Sequence, residues 1–295
     1  MTQQALFETV KSDNNKFLKT VNVASVPQRS PFRYPGGKTW FIPMLRKWLS
    51  SFDNNEITLV EPFAGGGIVS VTAACENLAN RILMNELDPE VAAVWHTIFG
   101  EDNQWLCDRI MNFQLTLENA IAAINLPDKT VRELAFSTIL KNRIYHGGII
   151  AKGSGPLKSG ENGKGIASRW YPDTLKRRIR EIDTVKHKFT FEEQDAFNIL
   201  EAYAGYTNFC FFIDPPYVKA GKRLYTYFDI DHEKLFKAIS KLQGNFLITY
   251  DDADEIRYLV SKFGFQFRKI PMKTTHHLEK NELIIANNFD WFDSH

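Results

Sequence analysis

The stretch Ile57-Thr58-Leu59-Val60-Glu61-Pro62-Phe63-Ala64-Gly65-Gly66-Gly67, followed by Ile68 to Asn77 and then Arg81-Ile82-Leu83-Met84-Asn85-Glu86, decides the fold. Ile57–Val60 is a short β-branched run and reads as a buried strand. The glycines form a tight turn, Ile68–Asn77 carries a helical pattern, and Arg81–Asn85 reads as a second strand. Strand, glycine turn, helix, strand is a βαβ unit. Outward from it, Glu90–Phe99 is predicted helical with Pro89 near its N-terminus. Thr39–Leu49 has helical apolar spacing, with Pro43 in the first turn where proline is tolerated. Downstream, strands are expected at Lys188–Glu192, Asn208–Ile213 and Phe246–Tyr250. Helices are expected at His232–Leu242 and Asp254–Phe263, and a closing hairpin at Phe265–Met272 and Leu283–Ala286. Strands alternating with helices on either side of a long insertion argue for an open α/β sheet.

The insertion differs in character. Trp105 to Asn142 reads as helix with one break at Leu126-Pro127-Asp128, Gly147–Gly165 as a long glycine-rich flexible loop, and Leu175–Val185 as helix again. Between Lys141 and Lys188 stand twelve basic residues against four acidic ones, a net of +8. The whole chain carries 36 Lys+Arg and 35 Asp+Glu, so the remainder has a net of −7. A uniformly basic coat is excluded, but a basic insertion in an acidic α/β protein reads as a nucleic-acid contact surface. A solvated loop and helix face is the alternative. At 295 residues with 44% hydrophobic side chains, the chain can bury a core without disulfides or metals. Three cysteines, Cys75, Cys107 and Cys210, are too scattered for a disulfide framework or a zinc site. Met1 to about Ser30 reads as a loosely held arm. With no secretory signal and no apolar membrane-length run in view, the expected location is cytoplasmic.

In open α/β sheets ligands bind at the carboxyl ends of the strands. Three such ends carry chemistry here. Phe63 to Gly67 lets backbone approach a ligand closely. Glu86, nineteen residues past Gly67, stands where an acceptor for ribose hydroxyls is expected. The turn lacks the third spaced glycine of a dinucleotide fingerprint, which favours a nucleoside-type ligand without a pyrophosphate. Asp195 and Phe197 could hold and cover an adenine, although on its own Asp195 reads more readily as a helix N-cap. The third end is Asp214-Pro215-Pro216-Tyr217. An adenine amino group is a poor nucleophile because its lone pair is delocalised into the ring. A carboxylate and a backbone carbonyl, Asp214 and Pro215, can each accept one of its N–H bonds and localise that pair. Two prolines fix φ and stiffen the carbonyl direction. Tyr217 offers a face for stacking the base, worth about 1–3 kcal/mol elsewhere. Thr249-Tyr250-Asp251-Asp252 closes another strand and could wall the base pocket, although Asp251 and Asp252 read more readily as solvated caps of the next helix. His276-His277 read as loop histidines, and Tyr225, Tyr227 and Phe228 as either a lid or core.

Together these residues resemble the DNA adenine methylase (Dam-like) family of N6-adenine methyltransferases that use S-adenosylmethionine. Arg33-Tyr34-Pro35-Gly36-Gly37-Lys38 looks like the family's N-terminal cofactor motif, Glu61–Gly67 like its FxGxG motif, and Asp214–Tyr217 like its catalytic DPPY. Asn142-Arg143, His146–Ile149 and Ser168–Trp170 resemble its target-recognition insert more loosely. Asp at 214 favours adenine over cytosine as the methylated base. The resemblance implies a Rossmann-like, S-adenosylmethionine-dependent methyltransferase sheet with helices on both faces. A catalytic domain at 31–100 and 186–295 is interrupted by a mainly helical target-recognition insertion at 101–185, after an arm at 1–30. It implies catalysis by Asp214, Pro215, Pro216 and Tyr217, without a metal. Cofactor contacts fall to Tyr34, Lys38, Glu61, Phe63, Gly65, Gly67, Glu86, Asp195 and Phe197, and S-adenosylhomocysteine is the product. Lys38 is placed near the donor's carboxylate or the flipped base. Arg143, Lys152, Lys158, Arg169 and Arg177 are the expected contacts to double-stranded DNA. The implied setting is restriction-modification or phage, with a cognate endonuclease as a candidate partner and the chain acting as a monomer. RNA adenine methylation, or a non-catalytic DNA-binding regulator on the same fold, are the alternatives.

Overall fold

The computed structural model describes residues 25–33, 36–53, 55–160, 163–217, 226–227, 229–273 and 279–293. In chain order its main elements are α1 (Ile42–Leu49), β1 (Thr58–Glu61), α2 (Ile68–Cys75), β2 (Arg81–Asn85), α3 (Pro89–Phe99), α4 (Asn103–Met111), α5 (Leu117–Ile124), α6 (Val131–Ile144), α7 (Pro172–Val185), β3 (Phe189–Glu192), α8 (Ala196–Ala202), β4 (Phe209–Ile213), α9 (His232–Ile239), β5 (Asn245–Asp251), α10 (Asp254–Phe263), β6 (Gln266–Lys273), β7 (Glu279–Ala286) and α11 (Asp290–Asp293). The seven strands form one sheet in the order β3-β2-β1-β4-β5-β7-β6. Every neighbouring pair from β3 to β5 is parallel, while β7 runs antiparallel to both β5 and β6. This is the expected Rossmann-like architecture.

Side chains alternate across the sheet, as the two-residue period of a strand requires. Leu59, Ile82, Met84, Phe212 and Leu247 face one apolar layer with Phe41, Leu45, Trp48, Val71 and Trp95. Val60, Leu83, Phe211, Ile213 and Ile248 face the other, with Ile199, Leu235, Phe236, Ile256 and Leu259. Helices therefore cover both faces. The strand order reverses between β1 and β4, so the crevice for a ligand opens at their carboxyl ends.

The insertion packs onto the first layer. Leu140 and Ile144 of α6, and Leu175, Ile179 and Ile182 of α7, belong to the same buried cluster as Leu59 and Trp95. On α7 these apolar residues lie one turn apart, while Arg177 on the other side is exposed. The segment predicted as one broken helix over 105–142 is three helices. A second break at 112–116 ends α4, and the Thr116 hydroxyl then caps α5 by accepting from the Asn119 N–H at 3.1 Å. The glycine-rich stretch after α6 is organised by turns rather than open. His146 donates to the Gly155 carbonyl at 3.1 Å and Leu157 to that of Ile144 at 2.8 Å.

Two further expectations need correction. Val26 and Ser30 of the supposed loose arm are buried, because Ser30 is held from both sides: its hydroxyl donates to the Gly66 carbonyl, and Arg178 donates to its carbonyl at 2.9 Å. Asp251 and Asp252 do not cap α10. Asp251 is buried at the end of β5, and Asp252 accepts two bonds from Arg257 at 2.6 and 2.7 Å. No helix among the described residues is long and apolar enough to cross a membrane.

Candidate active site

A cavity of about 730 Å³ opens at the carboxyl ends of β1, β2 and β4. Its floor is the glycine turn. Gly67 has φ +61°, and a Cβ there would lie 2.6 Å from the Trp95 ring. Glycine is thus required twice over, by backbone conformation and by the close approach of Trp95. The Trp95 indole N–H donates to the Gly65 carbonyl at 3.0 Å, which fixes the turn from below. Asn85 ties it to its neighbours: its amide donates to the Pro62 and Gln194 carbonyls at 2.9 and 3.0 Å, and its oxygen accepts from the Gln194 N–H at 3.1 Å.

Two carboxyls flank the turn, Glu61 buried and Glu86 half-buried. Glu86 accepts from the backbone N–H of Gly65 at 2.7 Å and of Asp88 at 2.8 Å. Burial pushes its pKa up to about 7. Glu61 accepts from the Ser70 backbone N–H at 3.0 Å and from the Ser70 hydroxyl, and burial pushes it up to about 8. Both line the cavity, as do Phe63, Asp195 and Phe197. Asp195 also caps α8, accepting from the Phe197 N–H at 2.9 Å, so the two readings of this residue coexist.

At the end of β4 the Asp214 carboxylate is gripped from two sides. Thr249, on β5, donates to its Oδ1 at 2.6 Å, and the Lys38 ammonium lies 2.7 Å from its Oδ2. Lys38 is buried and also donates to the Gly36 carbonyl at 2.8 Å. An ionised carboxylate has roughly four lone-pair sites, so two partners leave acceptor capacity for a ligand amine. Asp214 and Pro216 line the cavity.

Tyr217 departs from its expected place. It does not line this cavity; its hydroxyl donates to buried Glu282 at 3.1 Å, and the Lys38 ammonium lies 5.1 Å from its ring centroid. Burial raises the Tyr217 hydroxyl well above its ordinary pKa, which keeps it a donor.

The expected DNA contacts separate into two groups. Lys152, Lys158 and Arg177 are exposed, whereas Arg169 is half-buried and lines the cavity. Arg143 is a correction: only 4% of it is exposed, its guanidinium donates to the Pro31 carbonyl, and it forms cavity wall rather than outer surface. Its place on the inner face of α6 is the reason. Tyr34, Tyr225, Phe228, His276 and His277 lie outside the described residues. Thr249 stands in the strand end that the sequence offered as a wall of the base pocket, whereas sequence reasoning missed Glu282 and Arg178. Glu282 depends on strand register, and Arg178 stood in a basic run whose inward member cannot be picked out by charge.

Comparison with known proteins gives no match among curated sequences. Among solved structures, an rRNA methyltransferase from Streptomyces viridochromogenes aligns with 10% identity and a TM-score of 0.40, covering 86% of this chain and 87% of that one. A precorrin-6y C5,15-methyltransferase from Geobacter metallireducens aligns with 12% identity and a TM-score of 0.37, covering 83% and 85%. The family model described as D12 class N6 adenine-specific DNA methyltransferase matches residues 34–276. That match takes in the glycine turn, the basic insertion and Asp214–Tyr217, and so the chain belongs to the D12 class N6 adenine-specific DNA methyltransferase family.

Proposed function

We propose that the protein methylates the N6 amino group of an adenine flipped out of duplex DNA at a specific site, with S-adenosylmethionine as donor. The observation that carries this reading is the Asp214 carboxylate, fixed by Thr249 and Lys38 at the mouth of the cavity floored by the glycine turn. The cavity's donor set suits such a cofactor. Glu86 is an acceptor for hydroxyls, Asp195 and Phe197 suit an amino-substituted aromatic base, and Phe63 adds apolar surface. When bound, the cofactor supplies an electrophilic methyl group.

The chain's own residues do the rest. Flipping costs a few kcal/mol, which pocket contacts offset. Asp214 and the Pro215 carbonyl each take one N–H of the target amine, turning its lone pair outward. Thr249 holds the carboxylate so that this direction is preset. Tyr217, locked by Glu282, keeps one wall of the base site flat. No covalent enzyme intermediate is required. We assign residues 31–100 and 186–295 to catalysis and 101–185 to target recognition, with Lys152, Lys158 and Arg177 as phosphate contacts. Phosphate is the commoner partner of such exposed cations.

The test offers labelled S-adenosylmethionine with duplex DNA, RNA or neither. Label in N6-methyladenine of duplex DNA is the expected result. Transfer to RNA alone would move the substrate to RNA, and transfer to neither would refute the proposal.

A further inference from the structure

Three arginines on the cavity wall are left without a role by the chemistry above. Arg33 follows the buried end of the arm, Arg143 lies on α6 and Arg178 on α7, and all three line the cavity. Among the described residues no carboxylate lies within ion-pair distance of any of them. The ion pairs of neighbouring basic residues, such as Arg29 with Glu76 and Lys141 with Glu90, leave them out. Their bonds run to backbone or stay unmade. Arg143 donates to the Pro31 carbonyl and Arg178 to that of Ser30, and the buried Nε of each has no partner. A guanidinium carries five donors, so most of this capacity is unused.

Like charges brought together out of water repel, and the cost is several kcal/mol per ion unless an anion completes the set. The repulsion is legible in the acidity of Arg143. Arg143 is pushed down to about 9, first by burial and then by Arg178, Arg33 and Arg169. Arg33 and Arg178 are lowered too, in each case chiefly by burial.

Their position narrows the occupant. Arg178 holds the Ser30 carbonyl and the Ser30 hydroxyl holds the Gly66 carbonyl, so the Arg178 guanidinium is tied to the glycine turn through Ser30, and Arg143 holds the adjacent Pro31 carbonyl. The exposed cations Lys152, Lys158 and Arg177 lie outside this cavity. A small oxyanion inside the cavity, rather than a polymer backbone outside it, matches that separation and the fork geometry of arginine.

We propose that Arg33, Arg143 and Arg178 form an oxyanion subsite that takes the carboxylate at the amino-acid end of the methyl donor. This rests on reading the cavity as the donor pocket. A phosphate of the nucleic acid is the other source of the same chemistry.

The experiment is calorimetric titration of the full chain with S-adenosylhomocysteine and with its decarboxylated analogue, which keeps the adenosine, thioether and amine. The wild type is expected to bind the former at least tenfold more tightly. Arg178→Gln and Arg33→Gln are expected to weaken S-adenosylhomocysteine about tenfold each and leave the analogue unchanged, so that analogue binding itself reports an intact fold. A parallel arm follows a fluorescent duplex by anisotropy across salt concentrations. Variants that lose duplex affinity and salt slope, yet bind S-adenosylhomocysteine like the wild type, would make the occupant a phosphate and overturn the carboxylate. Variants indistinguishable from the wild type in every arm would overturn the subsite. A wild type that binds neither nucleoside would instead refute the donor-pocket reading, and the carboxylate assignment with it.

Discussion

The Asp214 carboxylate draws its direction from residues far away in the chain, Lys38 before β1 and Thr249 on β5. Removing one such hydrogen bond to a charged group costs about 1.5–3 kcal/mol. Thr249→Val is therefore expected to slow single-turnover methyl transfer about 10- to 100-fold while S-adenosylhomocysteine binding stays at the wild-type level. A second expectation concerns pH. Glu86 and Glu61 are raised by burial, to about 7 and about 8, from an ordinary value of 4.5. A carboxyl raised on folding binds more protons in the native state than in the unfolded one. Its stabilising contribution is complete below about 4.5 and is lost as pH rises through the folded value. The free chain should thus lose stability between about pH 5 and 8, and Glu86→Gln should flatten part of that slope in urea melts at stepped pH. Asp214 and Glu86 were legible in sequence because each directly follows a recognisable strand. Lys38 and Thr249 as partners of Asp214 were not, since their meeting depends on how the strands line up.

The glycine turn is the element on which the pocket rests. Gly67→Ala forces a left-handed backbone on alanine and presses its Cβ against Trp95. The expected loss is roughly 1–3 kcal/mol, read as a lowered midpoint in thermal unfolding, together with weaker S-adenosylhomocysteine binding. This unit was legible because a short apolar run, three glycines and a second apolar run leave few alternatives. The break at 112–116 was not: Phe113 and Leu115 carry the apolar pattern across the gap, and only the cap on Thr116 marks it. The hairpin of β6 and β7 was visible, but not that β7, rather than β6, docks against β5.

Across the whole molecule, charge and burial separate two kinds of cation. A basic insertion was visible in the count of residues, yet a count cannot say which arginines face inward. Arg143 and Arg178 turn toward the cavity because α6 and α7 share the core of the sheet. Lys152, Lys158 and Arg177 remain outside. Replacing these three with glutamine is expected to lower duplex affinity and to reduce the slope of log affinity against log salt by about 0.9 for each phosphate no longer neutralised. Titration of S-adenosylhomocysteine should be unaffected in the same variant.

The most direct test of the account is methyl transfer by Asp214→Ala, measured beside its binding of S-adenosylhomocysteine. Loss of N6-methyladenine formation in duplex DNA with nucleoside affinity preserved is the expected result. Undiminished transfer by that variant would contradict the assignment of Asp214 as the group that holds the target amine.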